Sequence, residues 1–425
     1  MLKKFVKTSI ILFILINFLL SSNLIYADDI SFHEEENIDI NQIIETNAQE
    51  NNLPNINSRS AVVIDRNSSK ILFGKEENSI RKMASTTKIM TCLLTIEHCN
   101  LTDIVEISKK SASTGGSRLG LKTGDKISVN NLLYGLMLCS GNDAAVALAE
   151  YISGSVEDFS ILMNNKAKEL GLVNTNFETP HGLDSANHYT TAYELALLTN
   201  YALNNETFSK IVGTKNYIVN INGNQKQISN SNELLGNLQG VYGVKTGFTN
   251  GANRCLVTAC KRDNLDIICV VLGADTKNFR TKDSVKLIEY SFQNFIPVNI
   301  QELLDKKFEE YKNNNLSNLK IIKGKIKNYS VKLLPLKNKI LPIEKNLAKD
   351  INFSIDYNLT FNAPIDNNTI IGNIKIFSGT QQISSTDILF DCTIEKKVFS
   401  DYFIDFFKYY KNLNFNININ QKTSY

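Results

Sequence analysis

Strand-like runs stand at both ends of one long helical stretch, and this order limits how the main part of the chain can fold. Ala61-Val62-Val63-Ile64-Asp65 and Lys70-Ile71-Leu72-Phe73 flank a polar turn, Arg66-Asn67-Ser68-Ser69, in a hairpin pattern. Strands return at Gly240 to Gly247, Arg254 to Lys261 and Leu265 to Leu272, the last two joined by Arg262-Asp263-Asn264. From about Ser85 to Asn204 the apolar spacing is mostly helical, with clear segments at Asn142 to Ile152 and Thr191 to Leu203. The second opens on Thr191-x-x-Glu194, a capping-box pattern. A sheet that draws strands from both ends must close across the helices. The expected fold is therefore α+β, one antiparallel sheet covered by helices.

The flanks read differently. Lys3, Lys4 and Lys7 precede an apolar run from Ile10 to Leu20, and Ile25-Tyr26-Ala27 offers a cleavage site, so residues 1–27 read as a signal peptide. A retained anchor is the alternative, but the run is shorter than the ~20 residues that span a bilayer. Residues 28–57 are acidic and rich in Asn, which predicts a disordered spacer. After Pro297, short alternating runs separated by Asn, Asp, Gly and Pro predict a small β-rich module over 296–395, with no catalytic spacing of its own. In residues 396–425, Phe399, Tyr402, Phe403, Phe406, Tyr409 and Tyr410 recur at three- and four-residue intervals beside lysines. That pattern predicts an amphipathic helix lying in a membrane interface; a helix docked on the β-module is the other reading.

Charge and composition exclude several classes. Without the three lysines of residues 1–27, the 46 basic residues become 43, equal to the 43 acidic ones, so no basic excess marks a nucleic-acid partner. Seven cysteines without a CxxC pair fit neither a disulfide framework nor a zinc site. They read as packing residues in apolar runs. His33, His98, His181 and His188 do not cluster with Cys or acids, so no metal and no cofactor is expected.

Three short motifs carry chemistry. Ser85-x-x-Lys88 opens a helical run, and residues three apart on a helix share a face. A serine hydroxyl needs a neighbouring base before it attacks, and a lysine serves once burial or nearby positive charge favours its neutral form. The dipole end of that helix and its backbone N–H groups suit a developing oxyanion. Ser140-Gly141-Asn142, ahead of a second helix, adds a hydroxyl for proton relay and an amide; taken alone it reads equally as a cap. Lys245-Thr246-Gly247 ends a strand with a cation and a hydroxyl for a carboxylate, and its glycine permits close approach. The N–H of Phe248 pairs with that of Ser85 as the expected oxyanion hole.

In this order the three motifs resemble the signature of penicillin-binding proteins and serine β-lactamases. Leu136-Met137-Leu138-Cys139-Ser140-Gly141-Asn142-Asp143, Pro180-His181-Gly182-Leu183-Asp184 and Gly243-Val244-Lys245-Thr246-Gly247-Phe248-Thr249 look like low-molecular-mass D-alanyl-D-alanine carboxypeptidases. The resemblance covers roughly residues 58–295, the expected catalytic domain. It implies an exported peptidase, peripheral on the outer face of the cell membrane, that trims D-alanine from peptidoglycan stem peptides and is acylated by β-lactams. It further implies Ser85 as nucleophile, Lys88 as base, Ser140 as relay, Asn142 as a substrate-amide ligand, and Lys245 with Thr246 as carboxylate ligands. The His181 and Asp184 loop reads as structural. Arg254, near the cleft, is not assigned a role by the pattern, and either helps bind a carboxylate or sits on the sheet surface. A serine β-lactamase and an idle penicillin- or wall-binding protein are the rival readings. The first lacks its Glu-x-x-x-Asn run here, and the second is expected to have lost Ser85 or Lys88.

Overall fold

The structure, a computed structural model, describes residues 39–47, 53–325 and 329–421. The expected signal peptide and the start of the acidic spacer lie outside the described residues. These residues form two compact units divided between Asn294 and Phe295.

The first unit is built on β1 (Ser60–Asp65), β2 (Ile71–Lys75), β3 (Val241–Thr249), β4 (Asn253–Arg262) and β5 (Leu265–Ala274). They form one antiparallel sheet in the order β2-β1-β5-β4-β3. Strands from the two ends of the chain meet where β1 pairs with β5, Val62 opposite Val270. The run Ile267-Ile268-Cys269-Val270-Val271-Leu272 is buried throughout. An unbroken apolar run of this kind requires cover on both faces of a strand, and helices α4 (Ala192–Ala202) and α5 (Lys277–Asn294) pack against β5. Helices α2 (Lys88–His98) and α3 (Asn142–Ser153) complete the core around Leu93, Leu136 and Phe159.

Two details differ from the sequence reading. Within the expected disordered spacer, helix α1 (Ile40–Asn47) forms, with Ile40 and Ile43 buried and packing toward α5. The physical reason is a local cap joined to an apolar edge: Asp39 Oδ1 accepts from the N–H groups of Asn41 and Gln42, and isoleucines three apart share a face. At α4, Thr191 Oγ1 accepts from Glu194 N (3.1 Å), as a cap does. The Glu194 carboxylate does not reach back to complete the box. It accepts instead from Asn174 N (2.9 Å) and Thr175 Oγ1 (2.6 Å), pinning the segment before the His181 loop.

The second unit pairs helix α6 (Ile300–Asn315) with short strands. Its main sheet is antiparallel in the order β6 (Val331–Leu333), β9 (Gln381–Phe390), β8 (Ile370–Ser378), β7 (Ile351–Tyr357). It has its own core around Leu304, Ile374, Ile376 and Phe390. The chain continues into helix α7 (Phe399–Gln421).

Candidate active site

The Ser85 hydroxyl is presented by a tight turn. Residues Ala84–Thr87 form one 3₁₀ turn that runs directly into α2. Its start is bent: Ala84 has φ +49°, a left-handed conformation that costs a non-glycine residue about 1–2 kcal/mol. Hydroxyls fasten the bend. Thr86 Oγ1 donates to Met83 O (2.6 Å) and Thr87 Oγ1 to Ala84 O (2.8 Å). His188 buttresses Thr87. The Glu178 amide donates to His188 Nδ1 (2.9 Å), so the ring proton sits on Nε2 and faces Thr87 Oγ1 at 2.7 Å.

One turn further on, Lys88 is fully buried, with Nζ 2.7 Å from Ser85 Oγ. Two carbonyl oxygens also surround the amine, Asn142 Oδ1 at 2.6 Å and the backbone oxygen of His181 at 2.8 Å. The His181 loop therefore does more than turn the chain. It packs so closely that a Cβ on Gly182 (φ +91°) would run into Ala84 O. The His181 ring stays neutral, its pKa lowered from 6.5 to about 3 by burial and then by the Lys88 charge.

Asn142 begins α3 and is fully buried. Its Oδ1 meets Lys88, its Nδ2 donates to Gly115 O (2.9 Å), and its N–H donates to Ser117 O (2.7 Å). Its side chain joins the lysine to the Gly115–Ser117 segment. Asp143 extends that grip. Its buried carboxylate accepts from the N–H groups of Leu119 (2.8 Å), Gly120 (2.7 Å) and Leu121 (3.0 Å).

The third wall is β3. Gly247 abuts the nucleophile turn, and a Cβ there would lie 3.1 Å from Ser85 N. The close approach at this glycine is made by the chain's own turn. Thr246 Oγ1 is 2.7 Å from Ser231 Oγ. Lys245 is buried, its Nζ donating to Thr246 O at 3.0 Å. Asp184 ties the His181 loop to the end of β3, accepting from Thr249 Oγ1 (2.8 Å) and Gly251 N (2.7 Å).

These walls enclose a cavity of about 250 Å³. Of the sequence-predicted residues, Ser85, Ser140, Thr246, Gly247 and Phe248 line it. Lys88 and Asn142 sit behind Ser85, linked through hydrogen bonds, and Lys245 lies within the wall. Ser117, Ser231, Lys277 and Arg280 also line it, and sequence reasoning missed them. Only Lys277 and Arg280 left a trace, two cations one helical turn apart at the start of α5. Among the described residues, no group of His, Cys, Asp and Glu is arranged to hold a metal.

Comparison with known proteins follows the same division. The D-alanyl-D-alanine carboxypeptidase family matches residues 45–276, and the penicillin-binding protein 5 C-terminal domain matches residues 308–396. The chain is 41% identical over 244 residues to the D-alanyl-D-alanine carboxypeptidase DacF of Bacillus subtilis, covering 56% of this chain and 63% of that protein. It therefore spans less than two thirds of that relative. It is 35% identical over 257 residues to the D-alanyl-D-alanine carboxypeptidase of Streptomyces sp. strain K15, covering 56% of this chain and 88% of that one. Among solved structures, penicillin binding protein 5 from Haemophilus influenzae superposes with a TM-score of 0.68 at 28% identity, over 82% of this chain and all of that one.

Proposed function

The chain belongs to the D-alanyl-D-alanine carboxypeptidase family, and on that premise we propose that it removes the terminal D-alanine from peptidoglycan stem peptides through an acyl-enzyme on Ser85. The observation that carries this reading is the 2.7 Å contact between Lys88 Nζ and Ser85 Oγ beside a cavity walled by Ser140 and Thr246.

A neutral amine has two N–H donors and one lone pair. The donors suit the carbonyl oxygens of Asn142 and His181, and the lone pair then faces the Ser85 hydroxyl. Lys88 takes the serine proton as Oγ attacks the carbonyl carbon of the penultimate D-alanine. The oxygen that becomes anionic is met by the N–H groups of Ser85 and Phe248. Ser140, on the cavity wall, hands its hydroxyl proton to the departing amine and takes the proton held by Lys88 in its place, so D-alanine leaves neutral at its nitrogen and Lys88 is neutral again. Lys245 and Thr246 hold its carboxylate. Water then attacks the ester, Lys88 accepting its proton and returning it to Ser85 Oγ as the acyl carbon–Oγ bond breaks. A β-lactam enters the same sequence, but its leaving amine stays tethered to the acyl group.

Glu194 bears on the β-lactamase alternative. Its carboxylate is engaged with Asn174 and Thr175, which disfavours it as the activator of a deacylating water. The reading includes export, with α7 as a peripheral membrane contact. Its Phe399, Phe403, Phe406 and Tyr410 are exposed, and no described helix is long and apolar enough to cross a membrane.

Labelling with a fluorescent penicillin, paired with D-alanine release, tests the reading. Wild type is expected to carry a covalent label and to release D-alanine, and Ser85→Ala to lose both, with kcat down by at least about 10³-fold. A label that persists on the alanine variant moves the nucleophile elsewhere.

A further inference from the structure

Ser231 lies at the exposed rim of the cavity, and the acyl-transfer steps give it no task. It stands between two of the walls. Its backbone N–H donates to Leu138 O (3.1 Å), just ahead of Ser140, and its Oγ lies 2.7 Å from Thr246 Oγ1 on β3. Its neighbours hold it there. Asn230 Nδ2 donates to Thr214 O (3.1 Å). Buried Asn232 donates from Nδ2 to Gly243 O (3.1 Å) and from its N–H to Asn230 Oδ1 (3.0 Å). The segment is a brace from the Ser140 wall to the β3 wall, and it leaves the Ser231 hydroxyl little freedom to move away from Thr246.

Two hydroxyls at this distance share one hydrogen bond, and its direction matters. If Thr246 donates, its lone pairs face the cavity and repel a carboxylate, which only accepts. If Ser231 donates, the Thr246 proton is left to point into the cavity. A hydroxyl that accepts one hydrogen bond also donates the next more strongly, because each bond polarises its neighbour. Thr246 is 8% exposed, so little water competes for that proton.

We infer that Ser231 is a positioning residue that acts through Thr246: it donates to Thr246 Oγ1 and so turns the threonine proton toward the carboxylate of the departing residue. The inference rests on the acyl-transfer reading of the same cleft, which gives Thr246 that carboxylate. The carboxylate is held alike before and during attack, so the effect belongs to substrate binding rather than to the chemical step. Water at the rim replaces part of what a lost hydroxyl supplied, which keeps the effect moderate.

The test uses the full chain, a blocked peptide ending in D-alanyl-D-alanine, and a fluorescent penicillin, which brings a carboxylate of its own. Ser231→Ala is expected to raise KM for the peptide about three- to tenfold, with kcat within about twofold of wild type, and to slow penicillin acylation by a similar factor. An unchanged KM, or a loss confined to kcat, overturns the inference. Ser231→Thr restores the donor and is expected to bring KM back toward wild type; a KM no lower than that of the alanine variant overturns it. Ser231→Cys keeps the shape with only a weak donor and guards against a folding failure of the alanine variant. Its KM is expected to exceed that of wild type, and a wild-type KM overturns the inference. A double-mutant cycle separates action through Thr246 from a merely structural role. On a Thr246→Val background, Ser231→Ala is expected to slow penicillin acylation by a smaller factor than it does alone; a factor as large or larger overturns the inference. Should the acyl-transfer reading itself be wrong, wild type will release no D-alanine and carry no Ser85-dependent label. That pattern removes both and is distinct from additive losses in a protein that still labels.

Discussion

His188 shows how a single side chain far along the sequence sets the nucleophile turn. It is 2% exposed and bonded at both ring nitrogens, through Thr87 to the carbonyl of Ala84. Burial is the chief cause that lowers its pKa from 6.5 to about 4, against the opposing pull of the Glu178 and Asp184 carboxylates. Between those two values the unfolded chain binds a proton that the folded chain refuses, so stability rises with pH there. The contribution is fully present above about pH 6.5 and lost as pH falls toward about 4, roughly 3 kcal/mol in all. His188→Gln is expected to about halve this slope, leaving the one that His181, with its pKa lowered to about 3, contributes over the same range. Urea unfolding midpoints measured from pH 7 to pH 4 check it, and parallel curves for wild type and variant defeat the assignment. Nothing in the sequence pointed to this residue. Its partner Thr87 lies 101 positions earlier, and only the fold brings a helix start and a loop together.

At the scale of elements, the site is a meeting of four segment ends: the Ala84–Thr87 turn, the start of α3, the His181 loop and the end of β3. Three of these were legible, because each carries a hydroxyl or amine at a spacing that chemistry demands. The antiparallel sheet was legible too, since strand-like runs stand at both ends of the helical stretch and the hairpins carry turn residues. What stayed hidden is what holds the segments to one another. Asp143 and Glu194 read as helix-start residues, yet each spends its carboxylate on a neighbouring loop. Ser231 and Arg280 reach the cavity through tertiary packing alone and have no local pattern to announce them. Gly182 is the sharpest case, a turn glycine in the sequence and a steric key in the fold. Gly182→Ala forces a Cβ toward Ala84 O and holds alanine at φ +91°, so the loop must back away from the turn. We expect a loss of about 2–4 kcal/mol in stability and a slower penicillin acylation rate. Gly115→Ala, where a Cβ meets nothing within 4 Å, is expected to melt near wild type. Thermal melts and acylation time courses of both variants decide it; a Gly182→Ala protein that acylates at the wild-type rate would show that the His181 loop does not govern the nucleophile.

Across the whole molecule, two separate cores argue that the cleft does not depend on the C-terminal region for its shape. Every residue that lines the cavity belongs to the first unit, whose core closes around Leu93 and Leu136, while Leu304 and Phe390 belong to the other. Helix α7 has a different character from either core. Phe399, Phe403, Phe406, Phe407 and Tyr410 fall along one side at 3.6 residues per turn, with Asp401 and Lys408 on the other and Lys411 at the flank. The rings touch one another, Phe399 with Phe403 and Phe406 with Tyr410, yet each remains more than half exposed. An apolar face of that size left in water costs about 25 cal/mol for each Å² of apolar surface, a cost that a lipid interface removes. Truncation after Glu395 is therefore expected to move the protein from the membrane pellet to the soluble fraction while kcat/KM for D-alanine release stays that of the full chain. Retention of the truncated protein in the pellet would place the membrane contact elsewhere. A loss of activity on truncation would mean instead that the second unit supports the cleft, which the separate cores argue against.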